Sequence, residues 1–148
     1  MTRSSRMEPI IRLAEQAERD AAALLRDSRR DLDECDRKLA QLRDCRRDYI
    51  EQMRAESGGS MAAARLHEMR AFVQRLDEVI HQLEDQLKRK QLTNDRQKDA
   101  WAGAKYRAQA LGNVAARYRA DEQKRADLKQ QIEIDDRPRR PRHGDDSE

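Results

Sequence analysis

The sequence predicts an all-α protein: a long two-helix antiparallel coiled-coil hairpin with an overhanging C-terminal helix. Three observations carry this. Charged residues make up 41% of the 148, yet 32 basic and 29 acidic side chains nearly cancel to a net charge of +3. Proline stands only at positions 9, 138 and 141, so residues 10–137 contain no strong helix breaker. Apolar residues recur in steps of three and four through two long stretches separated by Ser57-Gly58-Gly59-Ser60. Leu, Ile, Val and Phe together number 23, too few for a compact mixed core but enough for a narrow buried stripe. Disorder would go with a large net charge or many Pro and Gly, which this chain lacks.

The first helix is expected over residues 8–56, after a flexible N-terminus of residues 1–7. Pro9 suits its first turn, and a Ser5–Glu8 capping box competes with that placement. Its seam reads Ile11, Ala14, Glu18, Ala21, Leu25, Ser28, Leu32, Cys35, Leu39, Leu42, Arg46, Tyr49, Met53, with Ile11 as an a position. The turn at 57–60 combines a helix stop at the glycines with Ser60 as a new N-cap. The second helix is expected over 61–134. Leu66, Met69, Val73, Leu76, Ile80, Leu83 and Leu87 set its phase, with Leu66 as an a position. The same phase passes through the polar interval Lys90, Asn94, Gln97 to Trp101, Ala104, Ala108, Leu111, Ala115 and Tyr118. Unbroken phase argues for one continuous helix.

A four-residue turn makes residues whose numbers sum to about 117 level. On that register nothing covers the second helix after Ala110, and Leu111, Val114, Ala115, Tyr118, Leu128 and Ile132 would need a partner, a second copy or fraying. Residues 135–148, with Pro138, Pro141 and clustered arginines, read as a disordered tail.

The function classes left open are few. Neither a membrane-spanning run nor a secretion signal is visible, which points to the cytoplasm. Cys35 and Cys45 would lie about 15 Å apart along one helix, too far for a disulfide. His67, His81 and His143 have no metal-ligand spacing, so neither metal nor cofactor is expected. Alternating charges at i,i+3 and i,i+4, such as Glu84 with Lys88, describe a solvated coiled-coil surface, not a track for phosphates, and no nucleic acid is expected. A two-helix hairpin lacks the cleft that acid–base chemistry requires, so the chain is not expected to be an enzyme.

Phe72 and Val79 fall at g, beside the seam. Cys45, also at g, and Tyr49 and Leu42 in the seam lie near them. Together they outline an apolar patch on a charged surface, readable as a binding face or as a widening of the two-helix core. Trp101, at a, fills space beside alanines or meets a partner.

The stretches Ile11-Arg-Leu-Ala-Glu-Gln-Ala-Glu-Arg-Asp-Ala-Ala-Ala-Leu-Leu25, Leu42-Arg-Asp-Cys-Arg-Arg-Asp-Tyr49 and Phe72-Val-Gln-Arg-Leu-Asp-Glu-Val-Ile-His-Gln82, with the later Trp101, resemble FliJ, the small coiled-coil component of the flagellar type III export apparatus. The resemblance covers about residues 8–125. It implies a cytoplasmic protein, peripherally associated with the inner-membrane export apparatus. Its implied partners are the hexameric flagellar export ATPase, the cytoplasmic linker of the membrane export-gate protein, and substrate-specific export chaperones. The helix ends would enter the pore of the ATPase ring, placing Leu111 and Tyr118 at that contact. The gate-binding face carries over to Lys38, Leu42, Cys45, Tyr49, Phe72, Leu76, Val79 and Leu83, with departures from the family pattern at Cys45 and Leu83. An injectisome stalk counterpart or a generic homo-oligomeric coiled-coil scaffold are the alternatives.

Overall fold

Two helices form the protein, α1 (Arg3–Ser57) and α2 (Ala63–Asp135), running antiparallel as a hairpin. The computed structural model describes residues 1–57 and 62–137. The glycine turn around Gly58 and Gly59 and the tail from Pro138 lie outside the described residues.

Burial follows the heptads. On α1, Ala14, Cys35 and Leu39 are buried and Ile11, Glu18, Ala21, Leu25, Ser28, Leu32, Leu42, Arg46, Tyr49 and Met53 are half-buried. On α2, Met69, Leu76, Ile80, Asn94, Ala108 and Ala115 are buried, with half-buried residues at the remaining seam positions from Leu66 to Tyr118. The α2 phase is unbroken through the polar interval, where Asn94 occupies an a position at 4% exposure with Oδ1 unpartnered. A buried unsatisfied amide costs about 1–3 kcal/mol, and a polar a position is how coiled coils trade stability for a defined register.

The chain divides into two compact units, residues 16–105 and residues 1–15 with 106 onward. In the first, Tyr49 pairs with Phe72, Arg46 with Asp77, and the Cys35 thiol donates to the Leu83 carbonyl at 3.7 Å. In the second, Ser4 meets Glu122 and Arg3 lies over Tyr118. Within each, level residues sum to about 122, not the 117 expected from the turn. With these two heptad phases, a of one helix is level with d of the other only near 122 or a whole heptad away. Layer matching alone would also allow a sum near 115; α1 ends at Ser57 and α2 starts at Ala63, later than expected, and this goes with the larger sum.

Both helices begin elsewhere than expected. Residues 3–7, expected to be flexible, belong to α1, and Pro9 sits inside the helix. Thr2 caps it: its Oγ1 accepts the Ser5 N–H at 3.2 Å and its carbonyl the Arg6 N–H at 3.2 Å. α2 begins at Ala63, where the Ala62 carbonyl accepts from Arg65 and Leu66, so the cap position is Ala62 and not Ser60.

The earlier start and the longer register together shorten the overhang. Ala115 is 2% exposed and Leu111, Val114 and Tyr118 are half-buried, so the stretch after Ala110 is covered. What lacks cover is residues 123–135, where every residue is exposed, including Leu128, Ile132 and Ile134.

Candidate functional site

The first candidate surface lies within residues 16–105, where the two edges of the seam differ. One edge carries e positions and is closed by ion pairs. Arg43 donates to Glu84 at 3.2 Å, and Arg46, an a residue, reaches out of the seam to Asp77. The other edge carries g positions, Lys38, Cys45 and Gln52 from α1 and Arg65, Phe72 and Val79 from α2, and toward the turn Arg65 pairs with the d residue Glu56 at 3.7 Å.

Phe72 packs its ring on Tyr49, with centroids 4.6 Å apart and planes tilted by 33°. Both remain half-buried, and the Arg75 guanidinium lies 6.0 Å from the Phe72 centroid. A cavity of about 330 Å³ opens beside them, lined by Tyr49, Gln52, Arg65, Glu68, Met69, Phe72 and Arg75. Val79 is 43% exposed, Cys45 and Leu42 half-buried, and Lys38 exposed. The arrangement brings Cys45, Tyr49, Phe72 and Val79 to one edge. Leu76 is a buried seam residue, and Leu83, half-buried, receives the Cys35 thiol on its carbonyl. Sequence patterning did not single out Arg75 or the Arg46–Asp77 pair. Spacing could have found the latter, since a charged a residue needs an opposite charge at a flanking position.

The second candidate surface is the open end, within the unit of residues 1–15 and 106 onward. Glu122 occupies an a position where α1 begins. Its carboxylate accepts the Ser4 hydroxyl at 2.6 Å and the Ser4 N–H at 3.1 Å, so α2 supplies an N-cap for α1. Arg3 lies 5.7 Å from the Tyr118 centroid. Leu111 and Tyr118, expected to be bare, are half-covered here. Exposed large apolar side chains of this unit include Met1, Ile10, Leu13 and Tyr106 and, on the uncovered stretch of α2, Leu128, Ile132 and Ile134.

The Ser4 hydroxyl, then its N–H, holds the Glu122 carboxyl below the ordinary carboxylate range, with smaller help from the Arg3 N–H and Arg125. A folded value below the unfolded one means the cap stabilises this end of the hairpin at pH above the ordinary carboxylate range. That contribution is lost as pH falls through the folded value. A carbon-detected NMR titration is expected to give Glu122 a lower midpoint in the native chain than in Ser4→Ala, which removes the hydroxyl donor. An unchanged midpoint would contradict the cap.

The family model for the flagellar FliJ protein matches residues 3–140, nearly the whole chain. The chain belongs to the FliJ family. No curated protein and no solved structure matches it. FliJ proteins are non-enzymatic scaffolds of the flagellar type III export apparatus. Among the described residues, no group of three His, Cys, Asp or Glu side chains could hold a metal ion, and no helix is long and apolar enough to cross a membrane. The two candidate surfaces are the g edge around Tyr49 and Phe72 and the uncovered stretch of α2 after Glu122.

Proposed function

We propose that this FliJ-family protein connects the hexameric flagellar export ATPase to the cytoplasmic linker of the membrane export-gate protein, and also escorts export chaperones. The observation that carries the reading is the apolar cluster on the g edge: Cys45, Tyr49, Phe72 and Val79 gather there above the Arg65–Glu56 pair, while Arg43–Glu84 and Arg46–Asp77 line the e edge. A tilted aromatic pair at partial exposure, rimmed by Gln52, Arg65, Glu68 and Arg75, has the composition of an interface centre. The gate linker is assigned to this edge. The ATPase is assigned to the open end, where α2 runs uncovered from residue 123 to Asp135 with Leu128 and Ile132 one turn apart. Such a segment gains apolar burial when it enters a pore or groove.

The test is titration of the full chain against the purified export ATPase and, separately, the gate protein's cytoplasmic region. Binding to both is expected, and binding to neither would end the reading. Ending the chain after Glu122 keeps the Ser4–Glu122 cap and removes the overhang. The shortened chain is expected to retain its helicity and gate binding while losing most of its stimulation of ATPase activity. Full stimulation would move the ATPase contact elsewhere.

A further inference from the structure

The first turns of α1 are held by a set of bonds that the rest of the helix does not use. Pro9 has no N–H, so the Ser5 carbonyl four residues before it receives no helical hydrogen bond, and the proline ring crowds that same carbonyl. Residues 3–8 are thus joined to the remainder of α1 across a defect. Their own fastening is at the far end: Thr2 accepts from Ser5 and Arg6, Glu122 accepts from Ser4, and Arg3 lies over Tyr118. Of residues 3–8, only Ser4 and Met7 are even half-buried. A second helix start is available just beyond the defect. With Glu8 as the flanking residue, Pro9 takes the first helical position, where its missing N–H is not needed and its fixed φ suits the helix.

We propose that residues 3–8 form a detachable strap that unwinds as one unit at Pro9, switching the start of α1 from Arg3 to Pro9 and uncovering α2 around Ala115, Tyr118 and Glu122. Ala115, at 2% exposure, is the most deeply buried α2 residue of this unit, while Ile11 and Ala14, beyond Pro9, stay in the helix on either start. Opening extends the bare part of α2 back from residue 123 toward Ala115. The strap thereby sets how much apolar α2 is on offer at that end, whether or not the ATPase is what meets it.

The two helix starts differ in a countable set of amides. A helix from Arg3 protects the N–H groups of Arg6, Met7, Glu8, Ile10 and Ile11, whereas a helix from Pro9 protects nothing before Arg12. Residue-resolved amide hydrogen exchange on the full chain is therefore expected to give these five amides a common rate, with a step of about tenfold or more in protection between Ile11 and Arg12. In Glu122→Ala, which removes the far fastening, the five should speed up together by roughly tenfold while Arg12 to Glu15 keep their rates. In Pro9→Ala, which restores the bond to the Ser5 carbonyl, the step should shrink by tenfold or more. A smooth gradient of rates from Arg6 to Glu15, or acceleration in Glu122→Ala that spreads past Arg12, would show ordinary end fraying and overturn the proposal. So would a step that survives in Pro9→Ala.

Discussion

Leu39→Ala is expected to lower the stability of the hairpin by about 3 kcal/mol, within the 2–5 kcal/mol typical of emptying a leucine-sized site. Leu39 is 1% exposed, the most deeply buried large side chain among the described residues. It stands at an a position in a two-helix seam, where few neighbours can move in to fill the space. Leu24, on the same helix but 55% exposed, supplies the contrast: its replacement by Ala should change stability by no more than about 0.5 kcal/mol. Thermal or urea unfolding followed by circular dichroism reads both. Equal losses for the two would mean that burial in the seam does not govern stability here.

Phe72→Ala is expected to do the reverse, harming binding more than folding. Phe72 is at g, half-buried, and touches Tyr49 across the edge of the seam without being part of an a/d layer. Its loss should cost about 1–2 kcal/mol of stability, less than the 3–5 kcal/mol of a fully buried Phe. If the g edge is the gate-binding face, the same substitution removes a central aromatic anchor. Affinity for the gate protein's cytoplasmic region should then fall by about thirtyfold, or roughly 2 kcal/mol. The two measurements belong together. A large drop in melting temperature with unchanged affinity would return Phe72 to the core and leave the edge without its anchor. Arg75→Ala is expected to show a smaller loss of affinity, since a cation beside an aromatic at a partly exposed site contributes about 0.5–1 kcal/mol.

Helix class, hairpin topology and the identity of the seam were legible in the sequence because they depend on periodicity, which local spacing records in full. Every seam position read from Ile11 to Met53 and from Leu66 to Tyr118 is buried or half-buried in the structure. The g placement of Phe72 and Val79 was legible for the same reason, and with it the apolar edge. Tyr49 could be placed near Phe72 but its ring contact could not, because which rotamer brings two rings to 4.6 Å is settled between helices.

Only the tertiary structure decided the register and the ends. The expected four-residue turn suggested sums near 117; a and d layers match near 115 as well as near 122, and the later start of α2, at Ala63, goes with the larger value. The start of α1 was misplaced for a related reason. Pro9 is a sound local signal for a helix that begins there, but Thr2 caps an earlier start, and Glu122, more than a hundred residues away, adds an acceptor for Ser4 that spacing alone does not reveal. Covering of Leu111 and Tyr118 follows from these two facts together. Local spacing encodes which face of each helix is buried; how far one helix slides along the other is a property of the pair, fixed where side chains of both meet.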